Sequence, residues 1–343
     1  MRFLAVKGAV PDRAVDNDEI LAEFASRAAA ATGPDQGEAL RRQLERALEF
    51  AGSRSRRHRA EGERAVDFGL RAARSALDEA SLSPGDIDLL LYVGVGRGFL
   101  EPATANLFQS ALGCRQATCF DILDACASWL RAVDVARHYQ RCGTARHVLI
   151  LNCEFNFREY ADWDARTPAE LDTAWAAFTI GEAATATVLG PGDDDLHLRF
   201  RNAGEACHLC EIPLPNRDQF RLEAPDPRVR PLRFHSDAAT LTRRAVALLA
   251  EQYREDPAFR DGDHEVIFTH AASTRVAVAG LRSLGLDPAR LHDVFPRYGN
   301  TVSASLPLAV ADALEQGVLR RGRRVLMLMG SAGIAAGLCT FTW

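Results

Sequence analysis

Cys126 is the first residue whose setting suggests chemistry. The apolar run that ends at Asp121–Leu123 reads as a strand, and "DACASWLRA" (124–132) then turns into a helix at the cysteine. A thiol at a helix N-terminus sits where backbone N–H groups converge, which lowers a thiol pKa and suits a nucleophile. A buried structural cysteine fits the same corner. Two further residues extend the chemical reading: His270 ends the strand "VIFTH", and Asn300 lies in "YGNTVSAS". A thiolate exchanges readily with thioesters, because sulfur replaces sulfur at nearly equal energy. An imidazole can donate to, or exchange a proton with, a reacting carbonyl, and a carboxamide donates without titrating. Two neutral donors aimed at one oxygen stabilise an enolate, the species that carbon–carbon bond formation needs. The same three residue types also serve cysteine peptidases.

Bringing three distant residues together requires a particular architecture, and the chain supplies it by repeating itself. "CAS" at 126–128 matches "SAS" at 303–305, "RHVLIL" matches "RRVLML", and "DIDLLLYV" (86–93) matches "DHEVIFTH" (263–270), all at an offset of 177. Each copy reads strand, loop, helix, short "LG" turn, strand, strand-to-helix break, amphipathic helix, strand. The first amphipathic helix is predicted from Cys126 to Arg141, with Leu130, Val133 and Ala136 on one face and Arg131, Asp134, Arg137 and Arg141 opposite. The strands are near-continuous apolar runs, as expected when both sheet faces are covered. The chain therefore predicts an α/β protein of two βαβ-rich halves, residues 1–190 and 191–343, related by a pseudo-twofold axis and broken near "GPGDDD" (190–195). Residues 27–60, rich in Ala, Glu and Arg, read as a helical insertion. Pseudo-symmetry brings equivalent strand ends together, so Cys126 should face His270 and Asn300. The doubled fold does not suit a peptidase.

Composition narrows the function classes. Of 343 residues, 47% are hydrophobic and 25% charged, a soluble globular balance, and the net charge of −5 leaves no basic excess for nucleic acid. The basic runs "RSRRHR" (54–59) and "RRGRR" (320–324) read as solvated surface, with docking of an acidic or phosphate-bearing partner as the alternative. No signal peptide is legible, and the uncharged last 19 residues read as strand, tight loop, strand rather than a membrane tail. Eight scattered cysteines suggest reduced thiols and a cytoplasmic protein. "CHLC" (207–210) is the only close pair, and no second pair completes a metal site.

The motifs together resemble the thiolase superfamily, and within it the ketoacyl synthase III-like condensing enzymes, over nearly the whole chain. "FDILDACASW" is similar to that family's nucleophile motif, "THAAS" to its histidine motif and "YGNTVSASLPLA" to its asparagine motif. The resemblance implies that Cys126 is acylated and that His270 and Asn300 complete the site. "GSAGIAAG" (330–337) is similar to the family's glycine-rich loop, which implies an oxyanion hole formed by the N–H groups of Cys126 and Ala332. Arg275 matches an arginine used for carrier-protein docking, and a solvated helix charge would look the same. The residues after the histidine are Ala271, Ala272 and Ser273 rather than Gln-Ala-Asn. The tryptophan that stacks on the coenzyme A adenine in fatty-acid-initiating members has no counterpart near "LEFAGSRSRR".

"EPATA" (101–105) is similar to the head-to-head condensing enzymes of long-chain olefin synthesis, the OleA-like group. That likeness implies that Glu101 enters the partner subunit's site and removes the α-proton of a second acyl thioester, with a raised pKa; an exposed loop carboxylate is the plainer alternative. The expectation is a homodimer without metal or redox cofactor, taking acyl-CoA or acyl carrier protein thioesters and giving a β-keto product by Claisen-type condensation. Two rivals stand beside it: an acyltransferase of the same fold passing the acyl group to a hydroxyl or amine, and a non-catalytic partner subunit.

Overall fold

A computed structural model describes residues 1–343 apart from 194, 221–225 and 271. Its strands are β1 (Arg2–Ala9), β2 (Ala14–Asp16), β3 (Ser55–Arg57), β4 (Leu89–Val93), β5 (Thr118–Ile122), β6 (Val148–Glu154) and β7 (Ala183–Gly190) in the first part of the chain. The second part carries β8 (His197–Asn202), β9 (Cys210–Glu211), β10 (His235–Ser236), β11 (Val266–Thr269), β12 (Arg324–Ser331) and β13 (Ala335–Thr342).

Two sheets share one topology. The first runs β1-β7-β6-β4-β5 and the second β8-β13-β12-β11; in each the first two pairings are antiparallel and the third is parallel. β5 closes the first sheet in parallel with β4, and a single parallel bridge from Ile267 to Leu291 holds the corresponding place in the second. Alternation along β4 explains the layering. Leu89, Leu91 and Val93 join Trp129, Val133, Leu306, Val310, Phe268 and Met327 in a core between the sheets. Leu90 and Tyr92 face outward onto the helix Ala65–Ala80. The helices Ser128–Arg141 and Ser305–Glu315 fill the central layer, and the helix Ala238–Glu255 covers the far face of the second sheet. Helix, sheet, helix, sheet, helix is the expected doubled α/β architecture.

The two halves differ in their insertions. Only residues 332–334 join β12 to β13, whereas residues 155–182 join β6 to β7. The helical segment read at 27–60 is a pair of helices, Asn17–Thr32 and Pro34–Ala51, followed by β3. Asp16 starts the first by accepting the Glu19 N–H at 2.9 Å, ahead of the Ala/Arg-rich stretch that composition marks. Gly33, at φ +88°, separates the two. Phe24, Leu40, Leu44 and Leu48 bury themselves against Leu171 and Phe178 of the 155–182 connection. "RSRRHR" is correspondingly not a solvated patch. It pairs β3 with β2, so alternate residues turn inward, and Arg56 and His58 are buried. Arg56 donates to Asn17 Oδ1 at 2.9 Å and Ser53 Oγ at 2.8 Å. "RRGRR" does lie at the surface. Among the described residues, no helix is long and apolar enough to cross a membrane.

Candidate active site

Cys126 sits in a single tight turn, Ala125–Ala127, between β5 and the helix Ser128–Arg141. Ala125 adopts φ +44°, a left-handed conformation that a side chain disfavours and that surrounding contacts must hold. Ser128 Oγ supplies one such contact, accepting the Asp124 N–H at 2.8 Å and donating to Ala125 O at 2.7 Å. The repeat shows the same bend: Val302 has φ +51° and lies 177 positions on, before the turn Val302–Ala304 enters the helix Ser305–Glu315.

The first corner packs against β12, β13 and the second corner. Ser331, at the end of β12, accepts the Ala127 N–H at 3.2 Å and donates to Asp124 O at 3.2 Å. Ala332 follows Ser331 directly, in a loop anchored by reciprocal backbone bonds between Ile334 and Ala203 at 2.9 and 3.1 Å. His270 directly follows β11 one strand over, its N–H donating to Leu328 O at 3.0 Å. Asn300 is held by a parallel bridge to Ile180, its N–H donating to Thr179 O at 2.8 Å. A Cβ on the preceding Gly299, at φ +67°, would strike Thr179 O. Asn300 Oδ1 accepts the Val302 N–H at 2.9 Å, which leaves the Nδ2 end of the amide to donate elsewhere. The Cys126, Ala332, His270 and Asn300 segments thus gather where β12 ends and the two corners touch.

Electrostatics corrects one expectation. Burial pushes the Cys126 thiol well above its ordinary pKa, Cys210 and Glu154 push it further, and the Ser331 hydrogen bond pulls it partly back. The helix start does not make a resting thiolate, because desolvation outweighs it. Burial likewise lowers His270 to about 4, so its imidazole is neutral near pH 7.

The remaining predicted residues lie outside this cluster. Glu101 is exposed on the loop 94–103. Arg97 holds that loop by donating to Gly94 O at 3.0 Å, and Asp121 of β5 caps the following helix, Thr104–Leu112, accepting the Thr104 and Ala105 N–H groups at 2.8 Å. Phe99, Leu100, Leu107 and Leu123 are exposed around it. Arg275 is exposed on the helix Thr274–Ser283, its guanidinium 5.9 Å from the exposed ring of Phe50. Ser273 Oγ ties that helix to Ala51 O at 2.9 Å, while Ala271 lies outside the described residues. Of "CHLC", Cys207 is exposed, whereas Cys210 lies close enough to raise the Cys126 pKa. Among the described residues, no group of three or more His, Cys, Asp or Glu side chains could hold a metal.

Residue-by-residue reading missed Ser331 and Glu154. The repeat contains the signal: "VLILNCE" (148–154) and "VLMLMGS" (325–331) align at the same offset of 177, which places Glu154 opposite Ser331. Glu154 ends β6, is 2% exposed, and accepts the N–H groups of Gly96 at 2.8 Å, Val95 at 3.1 Å and Ser303 at 3.4 Å as well as the Ser303 hydroxyl.

A doubled five-layer α/β fold with a cysteine at one of two matched corners defines a thiolase-fold protein. Residues 120–204 match the model of 3-oxoacyl-[acyl-carrier-protein] synthase III, and residues 255–343 match the model of its C-terminal region. β-Ketoacyl-[acyl-carrier-protein] synthase III of Symbiobacterium thermophilum is 30% identical over 297 residues, covering 85% of this chain and 87% of its own. The enzyme of the same name from Methylococcus capsulatus is 30% identical over 291 residues, covering 84% and 87%. The chain belongs to the 3-oxoacyl-[acyl-carrier-protein] synthase III family. Among solved structures, the Aquifex aeolicus synthase III superposes with a TM-score of 0.80 at 23% identity, over 100% of this chain and 99% of its own. Xanthomonas campestris OleA with lauric acid and lauroyl-CoA superposes with a TM-score of 0.81 at 21% identity, over 99% and 98%.

Proposed function

We propose that the chain is a condensing enzyme that carries an acyl group on Cys126 and joins it to a second acyl or malonyl thioester. The observation that supports this reading is the meeting of the two matched corners at the end of β12, one carrying Cys126 at a helix start, the other following Asn300, whose Oδ1 is engaged by the Val302 N–H. Cys126 Sγ adds to the thioester carbonyl. The oxygen takes its negative charge beside the N–H groups of Cys126 and Ala332, and the departing thiol leaves with the proton that Cys126 gave up. The second thioester then enters. His270 and Asn300 Nδ2 donate to its carbonyl oxygen as the α-carbon becomes an enolate. That carbon attacks the Cys126 thioester to give a β-keto product and the Cys126 thiolate, which takes up a proton from water or from the base that removed the α-proton.

Two substrate sources fit the enolate step: loss of carbon dioxide from a malonyl thioester, or removal of an α-proton by Glu101 of a partner subunit. The second requires a homodimer. Support for one comes from β5, whose outer edge is unpaired in the sheet order, and from the exposed Phe99, Leu100, Leu107 and Leu123 beside it. The donor is a coenzyme A or carrier-protein thioester, for which Arg275 at the surface supplies a docking cation.

Intact-protein mass spectrometry after incubation with a panel of acyl thioesters tests the reading. The expected result is an acyl adduct lost in Cys126→Ala, and a β-keto product when a second thioester is added. No adduct, or one that survives Cys126→Ala, overturns it.

A further inference from the structure

Glu154 is a buried carboxylate that the acyl-transfer steps do not use. Its partners belong to both halves of the chain. From the first half come the Val95 and Gly96 N–H groups, which open the loop 94–103. From the second come the N–H and hydroxyl of Ser303. Asn152 Nδ2 also donates to Ser303 Oγ at 2.9 Å, and Thr185 Oγ1 holds Asn152 Oδ1 at 3.0 Å. Among the described residues no basic side chain pairs with Glu154. Burial pushes its pKa up, while Ser303 and the backbone N–H groups of Gly96 and Val95 pull it back. Gly94, at φ +112°, leaves the room: a Cβ there would overlap both the carboxylate and the Ser303 hydroxyl.

Ser303 immediately follows Val302, the residue in the left-handed conformation. Val302 N–H in turn holds Asn300 Oδ1. A strained turn keeps its shape only where its neighbours over-determine it. Release of Ser303 would let Val302 relax, and the Asn300 amide would lose the bond that tells its oxygen end from its nitrogen end.

We propose that Glu154 is a positioning residue: by clamping Ser303 it holds the Val302 turn, and so keeps Asn300 Nδ2 aimed at the reacting oxygen. This rests on the condensing role proposed above. Glu154→Gln keeps the shape but sets an NH₂ group against backbone N–H donors, so one side of the clamp fails.

The test separates acylation from condensation. Glu154→Gln should acylate Cys126 within about threefold of the parent rate, while condensation kcat falls at least roughly thirtyfold with KM for the second thioester unchanged. In an Asn300→Ala background the same substitution should cost less than about threefold more, because the two act through one group. Ser303→Ala should reproduce the loss and Ser303→Thr, which keeps the hydroxyl, should restore activity. A crystal structure of Glu154→Gln should show the Asn300 Oδ1 to Val302 N–H bond broken, a readout independent of any reaction. Condensation within about threefold of the parent, a full multiplicative loss in the Asn300→Ala background, or an unmoved Asn300 overturns the proposal. If Glu154→Gln does not fold, Ser303→Ala and its crystal structure decide by the same criteria. A parent protein that never acylates defeats the condensing reading alone, since the Asn300 geometry is still read crystallographically.

Discussion

Glu154 and Ser331 hold the same place in the two halves, each at the end of a buried strand, and each accepts an N–H from the other half's corner: Glu154 from Ser303 at 3.4 Å, Ser331 from Ala127 at 3.2 Å. The exchange is unequal. The corner with the thiol receives a neutral hydroxyl, and the corner without one receives a carboxylate. A carboxylate against Ala127 would place a second anion beside Cys126 and raise an already elevated thiol pKa further.

Ser331→Ala tests the neutral side of that exchange. It removes the hydroxyl that bridges the Ala127 N–H and Asp124 O, while the Ala127 N–H keeps its bond to Asp124 O at 2.9 Å, a loss of about 0.5–1.5 kcal/mol in stability. Cys126 acylation should slow by about tenfold as the corner loosens. Thermal melting and single-turnover acylation measure the two effects; a variant that melts and acylates like the parent would show that the Ser331 bridge does not hold the corner.

Cys126 should react as a buried thiol. Because burial pushes its pKa up, the iodoacetamide alkylation rate of Cys126, followed by peptide mapping, should climb about tenfold per pH unit from pH 7 to 9 without a plateau. A plateau near pH 7 would mean a resting thiolate and would contradict the desolvated corner.

His270 and His58 give acid sensitivity a defined window. Burial lowers both from 6.5 to about 4. As pH falls the unfolded chain binds these protons first, so both histidines cost nothing above about pH 6.5 and erode stability between about 6.5 and 4. Melting temperature should therefore drop across that window, less steeply in His270→Asn. Condensation that needs a neutral His270 should keep its rate down to about pH 5. An acid limb centred near 6.5 would show that the imidazole titrates normally.

Glu101→Gln separates two routes to the enolate. Acylation of Cys126 should continue, and condensation of two non-malonyl thioesters should fall by at least about a hundredfold. On the proposed homodimer, Leu100→Asp in the same exposed loop should shift the protein toward monomer in sedimentation and lower condensation with it. Unchanged product formation with Glu101→Gln would leave the carboxylate as loop surface.

Much of the architecture was legible because duplication leaves a trace in one dimension. The offset of 177 connected Cys126 with Ser303, and apolar runs such as "LLLYV" marked strands covered on both faces. The segment read at 27–60 went differently, because local composition could not show that Asp16 caps an earlier helix or that residues 55–57 pair with β2. Nor could it show that Arg56 points inward from a run of arginines, since inward direction is decided by strand register.

What the sequence determined by itself is the residue inventory and its order: a thiol, an imidazole and a carboxamide at matched strand ends of a doubled chain. Tertiary structure alone decided their state. Whether a helix-start cysteine rests as thiolate or thiol depends on how much water and which anions surround it, and here burial, with Cys210 and Glu154 close by, raised the pKa that the helix start and the Ser331 hydrogen bond would lower. Desolvation and charge are properties of neighbours in space, and spacing along a chain does not record them.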